Sequence, residues 1–322
     1  MDILITEAFD DPAIDRLDAD HDVVREPGAF KDPVRLKELI ADARTIIVRN
    51  QTQLTAEVLE GAPHLIGIGR MGVGLDNIDV SKASELGIVV VAPLDANSTS
   101  VAEMTLALML NLARKISASD RKTRTGGWDR KGGTGLELSD KTLAICGFGR
   151  IGRKVANLAR AFGMRIVVSD PFVEADSPAL AEFDAELCPS LEDALGQADY
   201  ISAHSPLTPE TKHMFNAASF AKTKPGAFFI NTSRGGIVDE QALVEALQNG
   251  HLGGAGLDVR EKEPPGEPGD LESLDNVIVL PHVGGWTKEA LSRTHSAVAE
   301  DLDSLLKGGV AKNFVNQKSP KR

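Results

Sequence analysis

Short runs of aliphatic residues alternate along this chain with longer segments whose apolar residues recur at helical spacing. The runs are rich in Ile and Val and lack polar alternation, which is typical of parallel strands covered by helices on both faces. They lie at 3–6, 45–48, 65–69 and 88–91, and in a second series at 142–146, 165–169, 200–204, 227–231, 254–258 and 277–280. This alternation predicts an α/β protein.

The intervening segments predict helices. Asp32 followed by Pro33 is a favourable start for a helix over 33–43, because Asp caps the first turn and Pro suits its first position. Further helices are predicted at 79–86, 99–121, 151–162 and Thr287 to Leu306. The segment 99–121 is expected to form one long helix.

The length and the element order predict two domains. A single hydrophobic core rarely grows beyond roughly 250–300 residues, and the chain has 322. The six strands of the second series are the number in a full dinucleotide-binding fold. Because the last helix follows that series, we expect it to return to the first domain. The expected division is 1–98 completed by 287–322, and 99–286.

The composition excludes several classes of protein. A formal net charge of −12 argues against nucleic acid as a partner, since phosphate binding needs a basic surface. Cys146 and Cys188 are too few for a disulfide framework, so we expect free thiols and a cytoplasmic location. No apolar stretch predicts a membrane span, and the N-terminus predicts a strand and not a signal peptide.

One glycine motif predicts a cofactor. Gly147, Gly149 and Gly152 form the pattern G-x-G-x-x-G between a predicted strand and a predicted helix. In that setting the glycines permit a tight turn and close approach of a pyrophosphate to the helix N-terminus. Asp170 ends the next strand, where a carboxylate can bind both ribose hydroxyls of NAD and would repel the 2′-phosphate of NADP. We therefore expect NAD, and we expect no metal.

Three polar residues follow predicted strands at the edge where open α/β sheets bind ligands: Arg234, Glu263 and His282. An Arg can orient a 2-keto acid and polarise its carbonyl, and a His can supply or remove the proton that accompanies hydride transfer. A Glu bonded to the other ring nitrogen would orient the imidazole. Each residue alone more often forms an ordinary surface contact, so the prediction rests on the three together.

Motifs along nearly the whole chain carry a specific likeness. They are Gly67 to Asp79, the glycine fingerprint, Asn231 to Glu240, Gly254 to Val259 with Glu263-Pro264-Pro265, and Pro281-His282. By these stretches the chain resembles the D-isomer-specific 2-hydroxyacid dehydrogenases, and most nearly the catalytic part of the phosphoglycerate dehydrogenases. The resemblance implies an NAD-binding Rossmann domain, a flavodoxin-like substrate domain and an active site in the cleft between them.

The resemblance also implies site residues. Arg234, Glu263 and His282 fall on the family's catalytic positions. Cofactor contacts fall on Gly147, Gly149, Arg150, Ile151, Gly152, Asp170, Ser205, Thr232, Ser233, Asp258, Gly284 and Gly285, and substrate contacts on Met71, Gly72 and Val73. A homodimer is implied, with the helix near 99–121 at its interface.

The substrate is the least determined feature. Arg49, Arg70 and Arg130 (the last from a dimer partner) would suit a second anionic group such as phosphate or sulfonate. Val48 to Gln53 resembles enzymes of 3-sulfolactate, and Trp286 replaces a residue that is usually small in the phosphoglycerate branch. Hydroxypyruvate and glyoxylate remain alternatives.

Two further expectations concern function and control. An NAD-sensing binding protein of the same fold remains an alternative outside enzymes, whereas phosphite or formate oxidation is disfavoured, because formate enzymes carry Gln in place of Glu263. No C-terminal regulatory region is recognised, so we expect no serine feedback through one.

Overall fold

The computed structural model describes residues 1–9 and 11–321. The chain forms two compact units, one of Met1–Asn97 with Trp286–Arg322 and one of Ser98–Gly285. Within the described residues, no helix combines the length and the apolar character that crossing a membrane requires.

The first unit contains a five-stranded parallel sheet in the order β2-β1-β3-β4-β5. The strands are β1 (Ile3–Ile5), β2 (Val23–Arg25), β3 (Thr45–Val48), β4 (Gly67–Arg70) and β5 (Val89–Val91). Alternate residues of each strand enter the two apolar clusters on either face: Leu4 joins one, and Ile3 and Ile5 join the other. The order reverses between β1 and β3, the point at which open sheets of the flavodoxin type bind ligands.

Five helices cover this sheet: α1 (Pro12–Asp15), α2 (Pro33–Ala41), α3 (Ala56–Glu60), α4 (Val80–Glu85) and, from the chain end, α13 (Lys288–Leu306). Short 3-10 helices follow α1 and precede α2. The predicted cap of α2 is present, since the Asp32 carboxylate accepts hydrogen bonds from the backbone N–H groups of Val34 and Arg35. The last helix, α13, packs on β4 and α1.

The second unit contains a seven-stranded parallel sheet in the order β12-β11-β10-β9-β6-β7-β8. Its strands are β6 (Thr142–Cys146), β7 (Arg165–Ser169), β8 (Ala185–Leu187), β9 (Tyr200–Ala203), β10 (Ala227–Asn231), β11 (Leu252–Leu257) and β12 (Val277–Val279). The chain winds outward from β6 to β8 and then restarts at β9 on the other side of β6. This doubly wound order has its switch point between β6 and β9.

The helices of this unit are α5 (Ser98–Arg114), α6 (Ile116–Arg124), α7 (Arg150–Ala161), α8 (Pro178–Glu182), α9 (Leu191–Gln197), α10 (Ala217–Phe220), α11 (Glu240–Gln248) and α12 (Asp270–Ser273). A 3-10 helix spans Gly235–Ile237. Both sheet faces are covered by apolar clusters, as the continuous apolar strands predict. Cys146 and Cys188 are buried free thiols in one of these clusters.

The prediction of one helix over 99–121 is wrong. Lys115 adopts a left-handed conformation, with φ 54°, and separates α5 from α6. The Asn111 side chain stabilises the break, since its amide donates to the Ser117 hydroxyl and its oxygen accepts from the Ser117 N–H. The apolar face of α5 is buried, whereas α6 has no buried residue. Core packing therefore does not keep α5 and α6 aligned as one continuous helix.

Two short strands were not predicted from the sequence, β2 and β8. Each has three residues, lies at the edge of its sheet and has no fully buried residue. Without a continuous apolar run, such a strand has no periodic signal to distinguish it from a loop.

Candidate active site

The glycine loop lies at the switch point of the second sheet. Gly147 follows β6 with φ 102°, a conformation that side chains disfavour, and a Cβ there would lie 2.8 Å from the His204 carbonyl after β9. A Cβ on Gly152 would lie 2.2 Å from the Gly147 oxygen, so glycine lets α7 begin directly against the turn. A Cβ on Gly149 would meet no atom within 4 Å. The loop therefore has open space before the N-terminus of α7, where Arg150 and Ile151 begin the helix, as a pyrophosphate requires.

Asp170 follows β7 and lies beside this loop. One carboxylate oxygen accepts a hydrogen bond from the Phe148 N–H at 2.7 Å, and the other accepts from the Phe172 N–H at 2.9 Å. These two bonds fix the orientation of the carboxylate. Each oxygen retains acceptor capacity for another donor such as a ribose hydroxyl.

Three hydroxyl residues proposed from the sequence lie after β9 and β10. The Ser205 hydroxyl donates to the Cys146 carbonyl at 3.2 Å, which places it beside the glycine loop. The Thr232 hydroxyl lies 3.0 Å from that of Thr105 on α5. The Ser233 hydroxyl is bonded to the Asn231 side chain and is buried.

The His282 ring and the Glu263 carboxylate form a direct contact, with 2.7 Å between Nδ1 and Oε2. Glu263 lies in the loop after β11, and His282 lies in the loop after the neighbouring strand β12. The His282 side chain is 46% exposed, so the ring is accessible to a ligand.

Ionisation of Glu263 determines which ring nitrogen carries a proton. Burial would raise the pKa of Glu263, but hydrogen bonds from His282 and the Arg260 N–H, with the charge of Arg234 nearby, lower that pKa below its usual range. Glu263 is therefore ionised at neutral pH and can only accept a hydrogen bond. Because of this, the proton lies on Nδ1 of His282, which leaves Nε2 for another partner.

Asp258, at the end of β11, holds the loop that carries His282. Its carboxylate accepts from the backbone N–H of Val283 at 2.8 Å and of Gly284 at 2.7 Å, and its carbonyl accepts from the His282 N–H. Burial raises the pKa of Asp258, although these donors oppose the shift. The sequence placed Asp258 among cofactor contacts, and the structure adds this backbone role.

Arg234 follows β10 in the same unit. Its guanidinium donates to the Ser233 carbonyl at 2.6 Å, and its own carbonyl accepts from the Asn231 side chain. It is also near enough to Glu263 for its charge to lower the pKa of that carboxyl group. Arg234, Glu263 and His282 are thus brought together at the carboxyl edge of three adjacent strands.

Arg49 and Arg70 lie in the other unit, at the carboxyl ends of the neighbouring strands β3 and β4. The Arg49 guanidinium lies between two aromatic rings, 4.9 Å from the centre of Phe9 and 5.0 Å from that of Trp286. Burial lowers the pKa of Arg49. The charge of the Glu7 carboxylate, which accepts from the Arg49 backbone N–H at 2.8 Å, opposes this shift.

Arg70 is more enclosed than Arg49. Its Nε donates to the Gly74 carbonyl at 2.8 Å, and a Cβ on Gly72 would lie 2.5 Å from its Nη1. The guanidinium therefore packs beneath the 71–74 loop, which contains Met71 and Val73. Arg130 lies in an exposed turn between α6 and β6.

Sequence reasoning missed three features of these sites: the aromatic sandwich around Arg49, the backbone role of Asp258, and an ion cluster around Arg260. Trp286 was singled out by its residue type, but nothing in the sequence indicated its partner. Arg260 and its two carboxylates are also spread along the chain, so no spacing rule could have joined them.

The sheet order, the glycine loop at its switch point and Asp170 beside that loop define a dinucleotide-binding α/β protein of the Rossmann class. Residues 106–284 match the family described as "D-isomer specific 2-hydroxyacid dehydrogenase, NAD binding domain". The chain belongs to this family, and its second unit is the NAD-binding domain.

Individual relatives agree with the family. The chain is 43% identical to D-3-phosphoglycerate dehydrogenase of Methanocaldococcus jannaschii over 314 residues, which are 98% of this chain and 59% of that protein. It therefore spans about three fifths of the length of that relative. The TT0316 protein of Thermus thermophilus superposes with a TM-score of 0.90 at 35% identity, covering 98% of this chain and 100% of that one.

A third comparison includes ligands. D-Lactate dehydrogenase of Aquifex aeolicus, solved with NAD and lactic acid, superposes with a TM-score of 0.89 at 30% identity and covers 99% of this chain and 100% of that one. The Rossmann and flavodoxin-like architecture predicted from the sequence is confirmed.

Proposed function

We propose that this protein is an NAD-dependent dehydrogenase that transfers a hydride between nicotinamide and C2 of a small D-2-hydroxy acid, D-3-phosphoglycerate above others. The observation that carries the proposal is the contact between His282 and Glu263, 2.7 Å long and accompanied by Arg234. This is the combination that reversible oxidation of a hydroxy acid needs: an acid–base group, a carboxylate that orients it, and a cation for the substrate.

The cofactor would bind along the carboxyl edge of the Rossmann sheet. Asp170, held by two backbone donors, suits the ribose hydroxyls, and its charge would oppose the additional phosphate of NADP. The pyrophosphate would lie on the turn from Gly147 to Gly152. We propose the remaining contacts from the family pattern: Arg150, Ile151, Ser205, Thr232, Ser233, Asp258, Gly284 and Gly285.

Each catalytic residue has a distinct role in this proposal. Arg234 would bind the substrate carboxylate and polarise the C2 oxygen. In the oxidative direction Nε2 of His282 would take the hydroxyl proton, and NAD, when bound, would supply the acceptor for the hydride from C2. Glu263 would stabilise the imidazolium so formed, because its carboxylate is already bonded to Nδ1. The reverse reaction uses the same groups, with His282 as the proton donor.

Arg49 and Arg70 support a substrate with a second anionic group. The Arg49 guanidinium, half-buried between two aromatic rings, gains from binding an anion, and the planar donors of an Arg suit a phosphate or sulfonate. We propose that Arg49, Arg70 and the 71–73 backbone bind this group in the substrate domain. Arg130 would reach it from a second copy.

We also propose a homodimer that works in the cytoplasm. The helix α6 has no buried residue, and Ile116, Trp128 and Leu136 in and around it are large apolar residues that are exposed. A second copy would cover this surface and bring Arg130 toward the substrate of its partner.

The test is NADH oxidation by the purified protein with 3-phosphohydroxypyruvate, sulfopyruvate, hydroxypyruvate, glyoxylate and pyruvate, with His282→Asn as the inactive control. We expect the highest kcat/KM for a dianionic acid. Activity limited to hydroxypyruvate or glyoxylate would retain the dehydrogenase but reject the second anion site. Binding of NADH without turnover of any acid would contradict the proposal and favour an NAD-sensing protein.

A further inference from the structure

A partly buried ion cluster lies behind the catalytic loop of the NAD-binding unit. Arg260 donates through Nε and Nη2 to the two carboxylate oxygens of Glu240 on α11, each at 3.0 Å, and through Nη1 to Glu272 on α12. The Arg260 side chain is 12% exposed. One guanidinium therefore ties two helices to the segment after β11.

The same segment holds Glu263. The Arg260 N–H donates to Oε1 of Glu263 at 2.9 Å, while the other oxygen of Glu263 is the one bonded to His282. The Glu261 N–H donates to Glu240 at 2.6 Å. The Glu240 carboxylate thus accepts from both the side chain of Arg260 and the backbone that follows it, which fixes the path of the loop toward Glu263.

The Arg234 segment packs on the same peptide. A Cβ on Gly235 would lie 1.9 Å from the carbonyl carbon of Arg260, so glycine brings the two backbones into direct contact. A second link is made by His213, whose ring nitrogen lies 2.7 Å from Glu261 and whose N–H donates to the Gly236 carbonyl. The loops that carry Arg234 and Glu263 are therefore fixed to one another through the backbone of Arg260.

We infer that Arg260, held by Glu240 and Glu272, is a positioning residue that sets the geometry of the Glu263–His282 pair. The inference rests on the proposed function, and it adds a residue that touches neither substrate nor cofactor. Neither exposed nor buried ion pairs add much net stability, and the same is expected of this partly buried cluster. Here the cluster restricts the position of the loop, because the Arg260 side chain binds one helix through two hydrogen bonds and a second helix through one.

The charged groups around this pair come from every element packed against it. They are Arg234 after β10, Asp258 at the end of β11, His282 after β12 and, through Arg260, Glu240 of α11 and Glu272 of α12, while the backbone N–H of Arg260 adds a neutral donor to Glu263. Loss of the Arg260 side chain removes one positive charge and releases the loop. The released loop carries the backbone N–H that Arg260 donates to Glu263, so its displacement acts on the Glu263 carboxylate and on the protonation of the pair.

The experiment compares Arg260→Met, Arg260→Lys and Glu240→Gln in the purified full chain. The control is Arg165→Met, which breaks the exposed ion pair of Arg165 with Glu186 in the same unit. For Arg260→Met we expect kcat to fall about ten- to a hundredfold, as for a displaced catalytic group. We expect unchanged affinity for NADH and a shifted pH profile of kcat/KM. Arg260→Lys keeps the positive charge but lacks the paired N–H donors of the guanidinium. We therefore expect its kcat to lie between those of Arg260→Met and the wild type.

Glu240→Gln covers the case in which Arg260→Met does not fold, since it preserves shape and removes one charge. A folded Arg260→Met variant with wild-type kcat and pH profile would overturn the inference. The inference would also be overturned if kcat fell in parallel with the melting temperature and the pH profile stayed unchanged. That result would mean that Arg260 only stabilises the fold.

A second readout does not depend on turnover. The pH titration of the His282 ring can be followed by NMR, with its signal assigned by its loss in His282→Gln. We expect the titration to shift in Arg260→Met and to stay in Arg165→Met. If the wild type turns over no acid, the proposed function fails, and this titration still decides the positioning role. An unchanged titration in Arg260→Met would contradict it.

Discussion

Nδ1 of His282 lies 2.7 Å from Oε2 of Glu263, although 19 positions separate the two residues in the chain. The contact exists because β11 and β12 are parallel neighbours whose carboxyl ends meet at one edge of the sheet. His282 itself is left-handed, with φ 58°, and its loop is held by the Asp258 carboxylate. The ring direction is thus set by both neighbouring loops.

The first prediction concerns this pair. We expect His282→Ala to lower kcat by roughly 10²–10⁴, the usual contribution of general acid–base catalysis. Glu263→Gln should lower kcat less, because the amide keeps a contact but loses the charge. Steady-state NADH oxidation measures both, with His251→Gln as the control. A kcat for His282→Ala within the range of that control would exclude the acid–base role.

Asp170 is predicted to select NAD. Hydrogen bonds to a charged group are worth about 1.5–3 kcal/mol, so Asp170→Ala should weaken NADH binding about ten- to a hundredfold. Discrimination against NADPH should relax because the repelling charge is gone. Fluorescence titration with both cofactors measures the change. Asp176→Ala removes an exposed carboxylate from the same loop and serves as the control; an equal effect of both variants would argue against the ribose contact.

The aromatic sandwich around Arg49 predicts a selective change in KM. Arg49→Gln should raise KM about tenfold or more for dianionic acids and leave glyoxylate little changed, since only the former would engage the guanidinium. Trp286→Ala should have a smaller effect of the same kind, because a cation–π contact contributes about 0.5–1 kcal/mol at exposed sites. Trp286→Phe, which keeps a ring, is the matched control. Equal increases for both substrate classes would remove the second anion site.

His204 predicts acid sensitivity of folding. Burial lowers the pKa of His204 to about 3, whereas the unfolded chain should titrate near 6.5. Between these values the unfolded state binds a proton that the folded state does not, so stability falls as the pH drops below about 6.5. Relative to wild type, His204→Gln should therefore gain about 2 kcal/mol between pH 7 and pH 5, at up to about 1.4 kcal/mol per pH unit.

Urea unfolding at several pH values tests this prediction. His251→Gln is the comparison, since Nε2 of His251 lies 3.1 Å from the Thr223 hydroxyl, whereas Nδ1 of His204 is buried and has no hydrogen-bond partner among the described residues. Parallel pH dependence of the wild type and His204→Gln would show that His204 does not carry the effect.

The close packing at Gly235 predicts that a larger residue there would push apart the loops that carry Arg234 and Glu263. The methyl group of Gly235→Ala would meet the Arg260 carbonyl at 1.9 Å, so the backbones must separate. Overpacking of this kind costs about 1–3 kcal/mol, and we expect kcat to fall as well because Arg234 and Glu263 move apart. In Gly196→Ala, by contrast, the nearest atom is 3.6 Å away. Thermal melts and NADH oxidation compare the two; equal melting temperatures would contradict the close packing.

The strongest sequence signals were local ones. The ten aliphatic runs all correspond to strands, and the Asp32 cap is present. Both features could be predicted because they depend on residues that are close to one another in the sequence. The glycine fingerprint was readable for the same reason. The break at Lys115 could not be read from the sequence. The apolar pattern continues to the end of α5, and the position of the break depends on where the helix stops packing against the core.

The sequence by itself therefore determined the class of fold, the glycine loop and the types of residue available for catalysis. The sequence also led us to expect Glu263 beside His282, and the structure shows the length of that contact. Only the tertiary structure decided the other meetings, of Arg260 with two helices and of Arg49 with Trp286. These contacts join residues far apart in the chain, and their distances follow from sheet register and loop path. Short-range preferences of the backbone leave both undetermined, because many loop paths satisfy them equally and packing selects one.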